Sequence, residues 1–144
     1  MIKIICFGKI KEKYLIDLIN DYKSRISKYH KIEIIELKDS NTKNESDELL
    51  KVINSKDYNI LLDINGSKYN SVELSKFIDK TFIINSNITF IIGGSAGVDD
   101  RIKSIVNKKI SFSDMTFPHG LFRGILLEQI YRSFKIINNE SYHK

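Results

Sequence analysis

Chemically capable side chains crowd into the last third of this 144-residue chain. The stretch Ser111-Phe112-Ser113-Asp114-Met115-Thr116-Phe117-Pro118-His119 sets hydroxyls, a carboxylate and an imidazole among apolar residues and the only proline. Phe112, Met115 and Phe117 can wall an apolar slot, while the main-chain groups of an irregular loop read the edge of a purine. A surface loop with a few packed apolar residues is the plainer alternative. Further on, Glu128 and Arg132 stand four residues apart, the spacing of a helical ion pair. That pairing competes with any chemical role for Arg132. The chain ends Ser141-Tyr142-His143-Lys144. Tyr142 and His143 form an aromatic, hydrogen-bonding, titratable pair suited to an RNA base, although such a tail frays by default.

Two other segments carry a signal. Gly93-Gly94-Ser95-Ala96-Gly97 follows the apolar run ITFII (88–92), and glycines there let the backbone approach a ligand closely. The spacing matches neither G-x-G-x-x-G nor a phosphate-binding loop, so a generic glycine turn is the preferred reading and a phosphate cradle a weak one. Leu62-Asp63-Ile64-Asn65-Gly66 is the third unusual stretch.

These segments need elements to hold them. IKIICF (2–7), KIEIIEL (31–37), YNILLDI (58–64), ITFII (88–92) and KISFS (109–113) read as strands from their β-branched and apolar content. Tyr14, Leu15, Leu18, Ile19, Tyr22, Ile26 and Tyr29 recur at helical spacing across 11–29. Residues 38–45 read as a polar flexible loop, with Ser46 opening a short helix that presents Leu49, Leu50 and Ile53. Asn65-Gly66 reads as the turn closing the third strand. Asn70, with Glu73 three residues on, predicts a capping box for a helix over 71–81. Short and long helices follow near 99–106 and 120–137. Gly120 and Gly124 weaken the last helix or permit a close approach. Strands alternate with helices, and several strands are apolar throughout. The expected fold is therefore α/β, a mostly parallel sheet with helices on both faces, in one domain spanning 1–144. Ligands of such sheets sit at the carboxyl ends of the strands, where all three unusual segments fall.

Composition narrows the class. Hydrophobic residues make up 42% and charged residues 28%, a globular balance. No apolar run reaches the roughly 18 residues that span a bilayer, and the lysine-interrupted N-terminus lacks a signal-peptide core. The expectation is a cytoplasmic protein with no membrane partner. Cys6 is the only cysteine, which leaves no internal disulfide and no cysteine-based metal site. Its apolar neighbours make a buried structural thiol the expected reading. The net charge is +5, and its distribution is uneven. Residues 1–100 carry 15 basic and 15 acidic side chains, whereas 101–144 carry eight and three. A basic region on a neutral body points to a polyanion such as nucleic acid, or to an unevenly charged solvated face.

The segments FIIGGSAG (90–97), KISFSDMTFPHGLFRGILLEQIYRSFKI (109–136) and the terminal SYHK together resemble one family. FGKIKEKY (7–14) and LLDINGSKYNS (61–71) extend the likeness over essentially the whole chain. The sequence is similar to the bacterial large-subunit (23S) rRNA pseudouridine N3-methyltransferases of the SPOUT superfamily. The resemblance implies a trefoil-knotted C-terminal region, a rare topology. It also implies S-adenosyl-L-methionine as cofactor, a homodimer, and N3 of a pseudouridine in the 23S rRNA of the assembled ribosome as the target. By the same resemblance, Leu62, Gly93, Phe112, Ser113, Asp114, Met115, Thr116 and Phe117 line the cofactor pocket, and no metal takes part.

The chemistry implied is alignment of a nucleophile with an electrophilic methyl group, aided by a base or an anion-stabilising group. His143 and Tyr142 are the favoured candidates, reaching over the partner's cofactor, with Arg132 stabilising developing charge. His119 is expected to be structural, at the loop-to-helix junction. Neutralising Arg123 and Arg132 is expected to weaken ribosome binding or catalysis. Two alternatives stand beside this reading: a non-enzymatic ribosome-associated factor and a flavodoxin-like nucleotide-binding protein.

Overall fold

A computed structural model describes all 144 residues. Five strands form one sheet: β1 (Ile2–Phe7), β2 (Ile32–Leu37), β3 (Tyr58–Lys68), β4 (Ile88–Ile92) and β5 (Lys108–Ser111). They lie in the order β2-β1-β4-β3-β5, and every neighbouring pair is parallel. The connections are α1 (Lys13–Ile26), α2 (Thr42–Val52), α3 (Ser71–Ile84) and α4 (Asp100–Ile105), and α5 (His119–Ile137) follows β5. Parallel strands need crossovers, which the helices supply.

Side-chain alternation along the strands feeds two cores. Ile2, Ile4, Cys6, Ile60, Phe90 and Ile110 point to one face and pack with Ile19 and Ile26 of α1, Leu74 and Ile78 of α3, and Leu126, Ile130 and Phe134 of α5. Ile5, Phe7, Leu61 and Ile91 point to the other and meet Leu49 of α2 and Ile102 of α4. Helices therefore cover both faces, as the apolar strands required. No helix is long and apolar enough to cross a membrane.

The capping box forms: Glu73 N–H donates to Asn70 Oδ1 at 2.8 Å, and Asn70 N–H donates to Glu73 Oε1 at 2.9 Å. Three local expectations need correction. First, α2 starts at Thr42 rather than at Ser46, with Asn41 as its cap receiving the Asn44 N–H at 2.8 Å. Its inward face is partly polar, built from Glu45 and Ser46 beside Leu49, so apolar periodicity could not reveal it. Leu50 is exposed. Second, β3 does not turn at Asn65-Gly66 but runs on to Lys68. It pairs with β5 on both sides of a bulge, since Leu62 and Ser67 both face Ile110. A Cβ on Gly66 would stand 2.6 Å from Ile110 N, so this glycine serves close backbone contact. Third, β5 ends at Ser111, leaving Phe112 and Ser113 to the following loop. Gly120 and Gly124 serve approach as well: Cβ atoms there would lie 2.9 Å from Leu15 Cδ1 and 2.7 Å from Leu18 Cδ2 of α1.

Candidate active site

The carboxyl ends of β3, β4 and β5 open onto a cleft of about 380 Å³. That volume falls in the range, roughly 300–1,000 Å³, of pockets for small ligands. Leu62, Gly93, Phe112, Ser113, Met115, Thr116 and Phe117 all line it. Asp114 does not; its carboxylate turns away and accepts from Lys68 Nζ at 2.6 Å. The structure adds Gly94 to Val98, Lys103, His119 and Phe122 to the wall.

Local chemistry shapes each wall. The glycine segment is a tight turn, with Gly97 N–H donating to Gly94 O at 2.9 Å and Gly97 at φ +76. Such a conformation suits glycine. In the opposite loop, Met115 N–H donates to Ser113 Oγ at 3.0 Å, and Ser111 Oγ–H donates to Ser113 O at 3.1 Å. Phe122 anchors this loop: Phe117 stacks on it at 5.9 Å between centroids and Phe112 meets it edge-on at 5.4 Å. Met115 is 75% exposed, an apolar side chain standing at the mouth.

Arg132, Tyr142 and His143 come together elsewhere, at the far end of α5. The tail is docked rather than frayed, with a bridge between Ser141 and His143. The Tyr142 ring meets Tyr131 edge-on at 4.9 Å, and its hydroxyl lies 3.3 Å from that of Tyr22. Arg132 lies over the Tyr142 ring at 4.8 Å and contacts His143 Nδ1 through Nη1 at 3.0 Å. Glu128 accepts from Arg132 Nε at 2.8 Å and holds the guanidinium above its ordinary pKa. The helical ion pair and the tail contacts thus coexist on one guanidinium. Burial, then the Tyr22 hydrogen bond, push the Tyr142 phenol up to about 12. None of the three lines the cleft of its own chain. Arg132 lies 13 residues beyond His119 on α5, roughly 20 Å along the axis.

Arg123 departs from its expected role. It is 3% exposed and donates to Glu36 Oε2 at 2.6 Å and to the Phe7 and Gly8 carbonyls at 3.2 Å. It ties α5 to the ends of β1 and β2 and offers no surface to RNA. Cys6 is buried, and burial pushes its thiol up to about 11, which leaves it inert. His30 stacks on Phe82 at 4.1 Å within the aromatic packing. Much of the C-terminal positive excess is internally matched: Arg101 pairs with Asp47 and Asp99, Arg123 with Glu36, Arg132 with Glu128 and Lys135 with Glu140. Lys103, Lys108, Lys109 and Lys144 carry no ion pair, and Lys108 instead lies over the Tyr69 ring at 5.8 Å. No group of His, Cys, Asp and Glu side chains has the arrangement to hold a metal ion.

Comparison with known proteins gives this architecture a place. The family model described as "Predicted SPOUT methyltransferase" matches residues 1–143. Proteins named ribosomal RNA large subunit methyltransferase H are similar along almost their whole length. Those of Clostridium botulinum (strain Alaska E43 / Type E3), Fusobacterium nucleatum and Acetivibrio thermocellus are 50%, 48% and 45% identical, each over 99% of both chains. A parallel sheet with its cleft at the ends of β3, β4 and β5, a match to the family model over nearly every residue, and identities this high over full length lead to one assignment: the chain belongs to the SPOUT methyltransferase family.

Proposed function

We propose that this chain is an S-adenosyl-L-methionine-dependent methyltransferase that modifies N3 of a pseudouridine in the 23S rRNA of the assembled ribosome. It would act as a homodimer of single SPOUT domains carrying the family's trefoil knot. The observation that carries the reading is the cleft itself, where three separate strand ends converge on one volume. Apolar walls from Leu62, Ile92 and Phe117 suit a nucleoside face, and the main chain of two irregular segments supplies donors and acceptors for its edge. When bound, S-adenosylmethionine supplies an electrophilic methyl group.

The chain's own residues then orient and stabilise. Arginine donates and does not accept, so His143 Nδ1 is the acceptor in its 3.0 Å contact with Arg132. The neutral His143 ring therefore carries its proton on Nε2 and presents a donor outward. Arg132 and His143 together form a donor pair suited to negative charge developing on the uracil ring as its N3 proton passes to solvent water and N3 takes the methyl group from the sulfonium. Tyr142, with its phenol held protonated, serves as an aromatic platform and hydrogen-bonding group rather than as an anionic base. This favours anion stabilisation over general-base catalysis by the tail.

The separation of the two clusters, roughly 20 Å along α5, supports a shared site. A two-fold pairing of chains brings one copy's tail to the other's cleft. Truncation before Tyr142 tests this. Expected is intact S-adenosylmethionine binding by calorimetry with loss of methyl transfer to ribosomes, followed by mass mapping of the rRNA. Unchanged transfer overturns the role of the tail. Absence of cofactor binding by the full chain overturns the methyltransferase reading in favour of a non-enzymatic ribosome-associated factor.

A further inference from the structure

Glu45 is 2% exposed, and no cation pairs with it. Its Oε2 accepts the Ser40 N–H at 2.9 Å, while Oε1 has no partner. A buried carboxylate oxygen without a donor is costly, and this one presses against the wall of the cleft. Oε1 lies so close to Gly94 that a side chain there would overlap it; a Cβ would come to 2.8 Å from Glu45 Cδ. The neighbouring side chains of α2 grip the same segment. Ser46, fully buried, accepts the Asp99 N–H on Oγ at 3.1 Å, and Asp47 pairs with Arg101 at 2.7 Å. Three consecutive residues of one helical turn thus meet the chain at Gly94, within the glycine turn, and at Asp99 and Arg101, just beyond it.

We infer that Glu45 is a positioning residue for the cofactor cleft, acting through the Gly93–Gly97 turn that it backs. The inference rests on the cofactor reading above and extends it to a residue outside the cleft. Glu45 sets how far the turn recedes, and Gly94 is glycine because the carboxylate fills the space a side chain would take. The carboxylate fills the space behind the turn and stops it from receding out of the cleft wall.

The test is a double-mutant cycle in the full chain: Glu45→Ala, Gly94→Ala and both together, with Glu45→Gln as the isosteric variant. S-adenosylmethionine affinity is measured by calorimetry beside the thermal midpoint. Gly94→Ala alone is expected to weaken binding about tenfold, and to cost under about twofold once Glu45→Ala has vacated the space. Glu45→Gln is expected to keep the fold and to retain affinity within about threefold, because the shape and one acceptor remain. Additive losses in the cycle, or affinities unchanged in every variant, overturn the inference. Hydrogen exchange without cofactor separates this from the cofactor reading. Residues 93–99 are expected to exchange about tenfold faster in Glu45→Ala, while β1 and β4 stay protected. Unchanged exchange overturns the positioning role whether or not the cofactor binds.

Discussion

At the scale of single residues, burial separates function from support. Arg123 and Arg132 look alike in sequence, nine residues apart in the basic third. Arg123 is sunk against Glu36 and two main-chain carbonyls, so Arg123→Met leaves those acceptors unpaired. The expected cost is about 3 kcal/mol of stability, read from urea unfolding. An unchanged midpoint with weakened ribosome binding would return Arg123 to the RNA surface. The tail has its own signature in pH. Tyr142 has a folded-state pKa of about 12 against an ordinary 10.0. A raised pKa means that its contribution is present in full below pH 10 and lost as pH climbs through 12. Thermal midpoints are therefore expected to fall between pH 10 and 12 more steeply in the native chain than in Tyr142→Phe. Parallel curves would show that the phenol contributes nothing to tail docking. The type and order of these residues were legible in sequence; their burial was not, because it depends on what α1, β1 and β2 bring against α5.

At the scale of elements, periodicity read well where one face is apolar and poorly where polar atoms are buried. β1 and β4 match their expected bounds because their runs are almost wholly apolar and buried, with Lys3 and Thr89 the polar exceptions. The start of α2 escaped, since Glu45 and Ser46 face inward and break the apolar rhythm. β3 escaped for another reason. Asn65-Gly66 is a strong turn signal in isolation, yet here the glycine is required by β5 passing across it. Gly66→Ala puts a Cβ into the Ile110 backbone, which cannot rotate away as a side chain does. The expected cost is about 3 kcal/mol or a failure to fold, measured by denaturant unfolding. A variant as stable as the native chain would show that the crossing is loose.

At the scale of the whole molecule, the division of labour along α5 makes a sharp expectation. If the proposed homodimer forms, mixing a chain truncated before Tyr142 with a full-length chain whose cleft is filled by Thr116→Trp gives mixed dimers. Half the dimers are mixed at equal concentrations, and each has one intact composite site. Methyl transfer should recover to about a quarter of native activity. No recovery would place cleft and tail of one chain in the same site. The charge distribution also resolves at this scale. With four of the eight C-terminal cations paired to carboxylates, the RNA-facing charge falls to side chains such as Lys103 at the cleft and Lys109 and Lys144. Replacing these three with Gln is expected to reduce the salt slope of ribosome binding by about 2. An unchanged slope would assign the contact to another surface.

The α/β class, the family likeness and the three segments that meet at the cleft were all legible from the order of residues along the chain. Those follow from local patterns: apolar runs, cap residues and motifs that keep their order along the chain. Packing of distant segments settles that Asp114 turns away, that Arg123 is a buried strut, that β3 runs past its glycine and that Glu45 stands behind the Gly93–Gly97 turn. Each is a matter of which distant segments share a space. A carboxylate 49 positions before Gly94 acquires meaning only when the parallel crossovers lay α2 against the end of β4.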